Sequence, residues 1–426
     1  MINSLRHRSA GKGASVDVRR HRPDVQIALY MGLLMLLGLV VMFAIGPQRA
    51  NVLNAAFGSE YSDTYFFVRQ LLSVGIAVGA FIFAALFPYE KVFRRERLLF
   101  FVGIGACLLL AIAAKMHWGI AQETYGAARW FNLGPFGFQP AEILKFGILV
   151  FGAVFLGAKM RDGRMSDWRE SLVPIGIMSA IALFIVVVVQ KDMGTGLAIV
   201  SIVLAMLFMA GLPTKLFVSV LGILAVGTML LIVAAPHRIS RVATFIKGDD
   251  TSTSDASSYH IEHAKIAIGT GGIIGVGIGN SVEATGYLPE AINDSVFAVM
   301  GETFGFVGLV AVISLFVALL IRLLKVMDHL VDNRLRLIVA GVFGWLMAHT
   351  VLNIGAMIGI IPLTGITLPL LSFGGTSMLF MAAALGFAFQ MSRYTTYGKN
   401  IKETGYENSG SRRRVGGPRH TSRRGA

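Results

Sequence analysis

Apolar runs long enough to cross a bilayer alternate along this chain with short polar or basic breaks. A hydrocarbon core of roughly 30 Å needs about 20 mostly apolar residues as a helix. On that ruler the sequence predicts ten spans. They are Ile27–Gly46, Phe66–Phe87, Leu98–Met116, Pro140–Ala158, Leu172–Gln190, Thr195–Gly211, Leu216–Ala235, Val296–Ile321, Leu335–Ile358 and Leu368–Met391. The pattern predicts an all-α polytopic membrane protein, a bundle of about ten transmembrane helices with one large extracytoplasmic loop, Pro236–Asp294. That loop opens polar and turns Gly-rich. From Ile266 to Gly279 it alternates Ile or Val with Gly, which suits non-helical backbone hugging or re-entering the membrane. Backbone of that kind must be buried in protein or line a wet cavity.

Composition agrees. Only 15% of the 426 residues are charged, 55% are hydrophobic and the mean hydropathy is +0.68, against roughly 25% charged in a soluble chain. An ordinary soluble enzyme and a disordered chain are excluded. With a single cysteine, Cys107, there is neither an intrachain disulfide nor a cysteine-based metal cluster. The net charge of +14 would in a soluble chain suggest nucleic acid, but its placement argues against that. Of the 38 Lys and Arg, 28 lie in the tails and in alternate connections on one side of the membrane, and seven on the other. The positive-inside rule then places both termini in the cytoplasm. The first span is too long for a signal peptide's apolar region and is read as uncleaved. The domain boundaries that follow are a basic cytoplasmic tail, 1–26, a transmembrane domain, 27–393, and a second basic tail, 394–426. Both tails are rich in Arg, Gly and Ser and are read as disordered, the arginines resting against anionic lipid heads.

Charged residues within spans are expensive and mark functional paths. Glu142 and Lys145 open the fourth span three residues apart, on one helical face, either as an internal ion pair or as working groups. Arg129 precedes them, with Gln139 just before Pro140. Gln190-Lys-Asp192 ends the fifth span. Glu290 and Asp294 stand four apart ahead of the eighth span, where acids are also welcome at a helix N-terminus, and Glu302 lies inside it. His260 and His263 lack the surrounding ligand pattern of a metal site. No nucleophile elbow or Walker A loop occurs.

Five segments in order resemble the SEDS family (FtsW, RodA, SpoVE) of peptidoglycan polymerases. They are Ala128-Arg-Trp-Phe with Gln139-Pro-Ala-Glu-Ile-Leu-Lys145, Gln190-Lys-Asp-Met-Gly-Thr195, the glycines of Ile266–Gly279, Tyr287–Asp294 with Phe297–Glu302, and Gly365-Ile-Thr-Leu-Pro through Ser377. The Gly365 stretch looks most like the FtsW branch. The chain departs from the family pattern at Ile292-Asn293, where His-Thr is usual, at Lys191, where Pro is usual, and at Phe373 and Thr376.

The resemblance implies a glycosyltransferase that polymerises lipid II on the outer face of the plasma membrane. It implies Asp294 as general base, Arg129 and Lys145 meeting the pyrophosphate, and Glu142 orienting Lys145. Gln139, Asp192, Glu290, Ser372, Gly374 and Gly375 are implied substrate contacts. A class B penicillin-binding protein and other division proteins are the implied partners, with no nucleic acid. No resident cofactor is implied, though a divalent cation bridging the pyrophosphate suits the chemistry. A lipid II flippase using the same intramembrane charges, and a non-catalytic scaffold, are the alternatives.

Overall fold

The computed structural model describes residues 22–124, 127–134, 136–233, 239 and 256–396. Most of both predicted tails and the polar opening of the long loop lie outside them. Each of the ten predicted spans is a helix. In order they are α1 Val25–Phe57, α2 Tyr65–Leu86, a short α3 Tyr89–Phe93, α4 Glu96–Lys115, α5 Pro140–Arg161 and α6 Trp168–Leu183. Then come α7 Met193–Met209, α8 Thr214–Val233, α9 Ala256–Thr270, α10 Val296–Asp328, α11 Asn333–Met357 and α12 Gly375–Met391. Eight of the described helices are long and apolar enough to cross a membrane, and α7 and α8 supply shorter apolar segments. The chain is a multi-pass membrane protein.

Small residues set the helix contacts, as expected where lipid removes the usual hydrophobic drive between helices. A Cβ at Gly103 would sit 2.7 Å from Leu144 Cα, which joins α4 to α5, and one at Gly386 would sit 2.5 Å from the Phe81 carbonyl, which joins α12 to α2. Ser201 Oγ donates to the Gly344 carbonyl at 2.9 Å, fastening α7 to α11. Large apolar side chains such as Phe83, Ile223 and Phe306 point outward, where acyl chains solvate them. At the tail end of the bundle, Asp24 pairs with Arg322, its N–H donates to Ser392 Oγ at 2.8 Å, and Leu330 bridges Thr395. The connections 58–64, 117–139, 190–192 and 358–374, together with the segment leading into α10, gather at the opposite end.

Four features depart from the sequence reading. First, α1 does not stop at Gly46. It continues through Pro47 to a left-handed Gly58 whose N–H caps Asn54, and its 33 residues span about 50 Å, beyond a bilayer core. Second, the 117–139 connection, unassigned in an all-α reading, is an antiparallel sheet of β1 Ala121–Thr124, β2 Ala127–Leu133 and β3 Phe136–Phe138 in the order β1-β2-β3. Third, the last span begins at Gly375 rather than Leu368. Pro369 and a left-handed Leu370 (φ 68°) hold the preceding stretch out of a helix.

Fourth, Ile266–Thr270 closes α9 as helix, and only Gly271–Gly279 is irregular. That run fills a break in α10 at Gly305 (φ 66°, ψ −167°). In an unbroken helix Phe306 and Val307 would donate to the carbonyls of Glu302 and Thr303. Instead their N–H groups donate to Gly272 and Ile273, at 2.9 and 3.1 Å, while the freed carbonyls accept from Val276 and Gly277, at 2.9 and 3.1 Å. The glycines permit this approach, since a Cβ on Gly275 (φ 81°) would lie 2.2 Å from the Thr303 carbonyl. The backbone groups freed by the break are thus paired with protein, which is the condition for irregular backbone in a membrane protein.

Candidate active site

The sheet is fastened to the start of α7. From β2, Arg129 donates through Nη2 to the Lys191 carbonyl at 2.7 Å, and Lys191 itself is left-handed (φ 54°). Gln139 follows β3 and precedes Pro140, which opens α5 where a missing N–H costs nothing. Its Nε2 donates to Asp192 Oδ2 at 3.0 Å. Asp192 caps α7: Oδ1 accepts the Thr195 N–H at 3.0 Å, and Oδ2 accepts the Thr195 hydroxyl at 2.7 Å. Asp192 and Gln139 are buried, so their polar groups are spent holding the sheet to this helix, while Arg129 is half-buried.

One turn into α5, Lys145 Nζ meets Glu142 Oε1 at 2.8 Å. Neither reaches solvent; Lys145 is 0% and Glu142 2% exposed. Nζ also lies 3.4 Å from His349 Nε2 and 4.7 Å from the Trp345 ring centre, both on α11. A lysine ammonium carries donors only, so His349 Nε2 accepts, and the ring proton sits on Nδ1. That nitrogen donates to the Thr367 carbonyl at 3.4 Å. Four residues along the same face of α11, Asn353 Nδ2 donates to the carbonyls of both Asp294 and Ile366, each at 2.7 Å.

Asp294 stands two residues ahead of α10 and is partly exposed. The turn beneath it is closely tied. The Glu290 carbonyl accepts the Asn293 and Ser295 N–H groups, at 2.9 and 3.2 Å, and its exposed carboxylate accepts Asn293 Nδ2 at 2.6 Å. Ile292 is buried, and its carbonyl accepts the Phe373 N–H at 2.8 Å. The unusual Ile292-Asn293 pair therefore packs and braces the turn from within. Ser295 Oγ donates to the Pro289 carbonyl at 2.8 Å, which leaves His260 Nε2 as donor to Ser295 Oγ at 2.5 Å.

The 358–374 loop closes the arrangement. A Cβ at Gly365 (φ 71°) would lie 3.5 Å from Asp294 Oδ2, and one at Gly194 would lie 2.6 Å from Ile366 Cγ1. The loop is thus wedged between the Asp294 turn and the Asp192 cap, and it brings the two groups of predicted residues to one place. Ser372 is buried and accepts the Leu368 N–H at 2.8 Å. Gly374 and Gly375 open α12, with Gly375 exposed.

Glu302 holds the neighbouring turn, accepting Ser281 Oγ at 2.5 Å and the Val282 N–H at 2.8 Å. His263 pairs with Glu283 at 2.8 Å, away from the partner of His260. No group of three His, Cys, Asp or Glu that could hold a metal occurs among the described residues. His349 and Asn353 were not among the predicted residues. Neither is charged, and their only trace in the sequence is two polar positions four apart in an apolar helix.

Known proteins resemble this chain in sequence and in fold. The family profile described as a cell cycle protein (FtsW, RodA, SpoVE) matches residues 25–397. A probable peptidoglycan glycosyltransferase FtsW of Nitrosomonas europaea is 34% identical over 376 residues, covering 87% of this chain and 93% of its own. The stage V sporulation protein E of Bacillus subtilis is 31% identical over 385 residues, covering 90% of this chain and all of its own. Among solved structures, a chain of a peptidoglycan synthase complex, described as coordinating polymerization and crosslinking, superposes with a TM-score of 0.66 at 26% identity, over 87% of this chain and 98% of its own. The rod shape determining protein RodA of Thermus thermophilus has a TM-score of 0.61 at 22% identity, over 88% and 98%, a likeness of fold. With the profile spanning all ten predicted spans, this chain belongs to the FtsW/RodA/SpoVE family.

Proposed function

We propose that this chain, a peptidoglycan glycosyltransferase by family, polymerises lipid II on the outer face of the plasma membrane during division, with Asp294 as general base. The observation that carries the reading is a partly exposed carboxylate on a turn braced by Asn353, Gly365, Phe373 and Ser295. In the reaction the 4-hydroxyl of an N-acetylglucosamine attacks the anomeric carbon of an N-acetylmuramic acid. The C–O bond to undecaprenyl pyrophosphate breaks with inversion. A sugar hydroxyl is a poor nucleophile and must lose its proton as it attacks, so a carboxylate within hydrogen-bond reach takes that proton. The departing pyrophosphate gathers negative charge, which fixed cations stabilise. Arg129, half-buried on the central strand β2, meets it, while the enclosed Lys145 adds to the field from behind.

A divalent cation arriving with the pyrophosphate fits this chemistry as part of the substrate. No ligand group among the described residues gathers to keep one resident. Both termini are cytoplasmic on the charge asymmetry of the connections, and a class B penicillin-binding protein is the partner. Against the flippase alternative stands the enclosure of Lys145 and Glu142, since a conduit for a charged head group needs wet, accessible charges.

The test is lipid II polymerisation by purified protein with its transpeptidase partner. Asp294→Asn should lose about 10²- to 10⁴-fold in rate, the usual worth of a general base, with lipid II binding retained. Polymerisation at the wild-type rate would remove Asp294 from the mechanism.

A further inference from the structure

We propose that His349 and Asn353 are positioning residues for this glycosyl transfer. They grip two successive carbonyls of one loop and so fix the place of Asp294 relative to the charged pair in α5. This rests on the reading of Asp294 as base. The two side chains lie one turn apart on α11, and they reach the adjacent carbonyls of Thr367 and Ile366. Asn353 spans the gap to the Asp294 carbonyl with the same amide nitrogen. His349 reaches the other way, to Lys145, and through it to Glu142.

A continuous polar chain results: Glu142, Lys145, His349, the Thr367–Ile366 backbone, Asn353, Asp294. The charge on Lys145 selects its direction, because the ammonium has no lone pair and only the Nδ1–H tautomer of His349 satisfies both neighbours. The chain crosses from α5 through α11 to the turn ahead of α10. The segment it holds has little rigidity of its own. That segment is non-helical from 358 to 374, with left-handed Gly359, Gly365 and Leu370, and Gly365 packs against the Asp294 carboxylate. A base displaced by about 1 Å loses on the order of 10²-fold in rate, so anchoring this loop is a catalytic requirement even though neither side chain touches substrate.

The experiment measures kcat and KM for lipid II polymerisation by the detergent-solubilised complex with its partner. The variants are His349→Leu, Asn353→Leu, their double and His349→Gln, with Asp294→Asn as reference. Each Leu variant should lower kcat by about 10- to 100-fold with KM changed less than about threefold. The double should fall by less than the product of the two, as for residues holding one loop. His349→Gln, whose amide accepts from Lys145 and donates to Thr367, should recover most of the lost kcat. Thermal melting of each variant in detergent identifies any that fails to fold, and His349→Gln keeps the test sharp should a Leu variant do so. Loss through KM alone, full additivity, or no recovery by His349→Gln would overturn the proposal. If Asp294→Asn is inactive while the Leu variants keep wild-type kcat, only the positioning role fails; if Asp294→Asn stays active, the base assignment fails first.

Discussion

Replacing Glu142 by Gln should destabilise the protein by about 3 kcal/mol, and removing Lys145 as well should restore the fold without restoring activity. The pair is sealed, with Nζ and Oε1 2.8 Å apart. At that distance and an effective dielectric near 20 their attraction is about 6 kcal/mol, set against the cost of stripping water from both ions. Removing one partner of a buried pair costs about 3–5 kcal/mol, because the other charge is left uncompensated. The low end applies here, since the amide oxygen introduced by Glu142→Gln would still accept from Lys145. The Trp345 ring 4.7 Å away and His349 Nε2 also remain to receive the ammonium. In Glu142→Gln/Lys145→Met no charge is buried, and the Met side chain fills the space of the lysine stem. Stability should then return to within about 1 kcal/mol of wild type, as for apolar replacements of buried pairs elsewhere. Unfolding in detergent with increasing SDS, followed by circular dichroism, reads the first quantity, and lipid II polymerisation reads the second. The double variant should stay at least about tenfold slower, because His349 loses the cation that selects its tautomer. A Glu142→Gln protein as stable as wild type would show that Lys145 is not held as a buried ion. A double variant of full activity would confine the pair to structure.

Two further substitutions probe the surroundings of the site. Gly275→Ala would set a Cβ 2.2 Å from the Thr303 carbonyl at a φ of 81°, so it should cut folded yield severely in detergent extraction, whereas Gly269→Ala, with open space around it, should extract like wild type. Glu302→Gln weakens the acceptor for Ser281 and Val282 and should cost about 1–2 kcal/mol; faster hydrogen exchange across residues 276–290 is the expected sign, and unchanged exchange there would refute the role given to Glu302.

The spans were legible because hydrocarbon imposes one solution, a run of apolar residues with its backbone paired internally. All ten appear, from Ile27 in α1 to Met391 in α12. Their ends were less legible where tertiary partners decide. Pro47 reads as a stop, yet α1 passes through it, and Leu368 reads as a start, yet the left-handed Leu370 delays α12 to Gly375. The sheet of residues 121–138 has only short strands and no long alternation to announce it. Within the site, Glu142 with Lys145 could be paired from spacing alone, since positions three apart share a helical face. That Asp192 also receives Gln139, and that Ile292 is bound to Phe373, depend on contacts more than 50 residues away in the chain. His349 and Asn353 carry no charge and so lacked the cost that makes intramembrane ions conspicuous.

The break in α10 gives the site its mechanical character. A base set at the end of an unbroken 33-residue helix would move with that helix as a rod. Here the two hydrogen bonds that would carry Val296–Thr303 into the lower helix are replaced by bonds to Gly272–Gly277. The first turns of α10 are therefore joined to a loop as firmly as to their own helix. Asp294, just ahead of them, takes its place from three non-helical segments, namely the Gly run, its own turn and the 364–367 loop. Each is pinned by a polar side chain rooted in a long helix: the Gly run by Gln48 of α1, which donates to the Gly279 carbonyl at 2.8 Å, the adjoining 281–283 turn by Glu302 of α10, and the 364–367 loop, with the Asp294 turn, by Asn353 of α11. Backbone strain and glycine flexibility at such a site are tolerable only because these pins over-determine it. The geometry around Asp294 thereby rests on a few polar side chains carried by the spans, and a substitution at a pin should change turnover well before it changes the bundle.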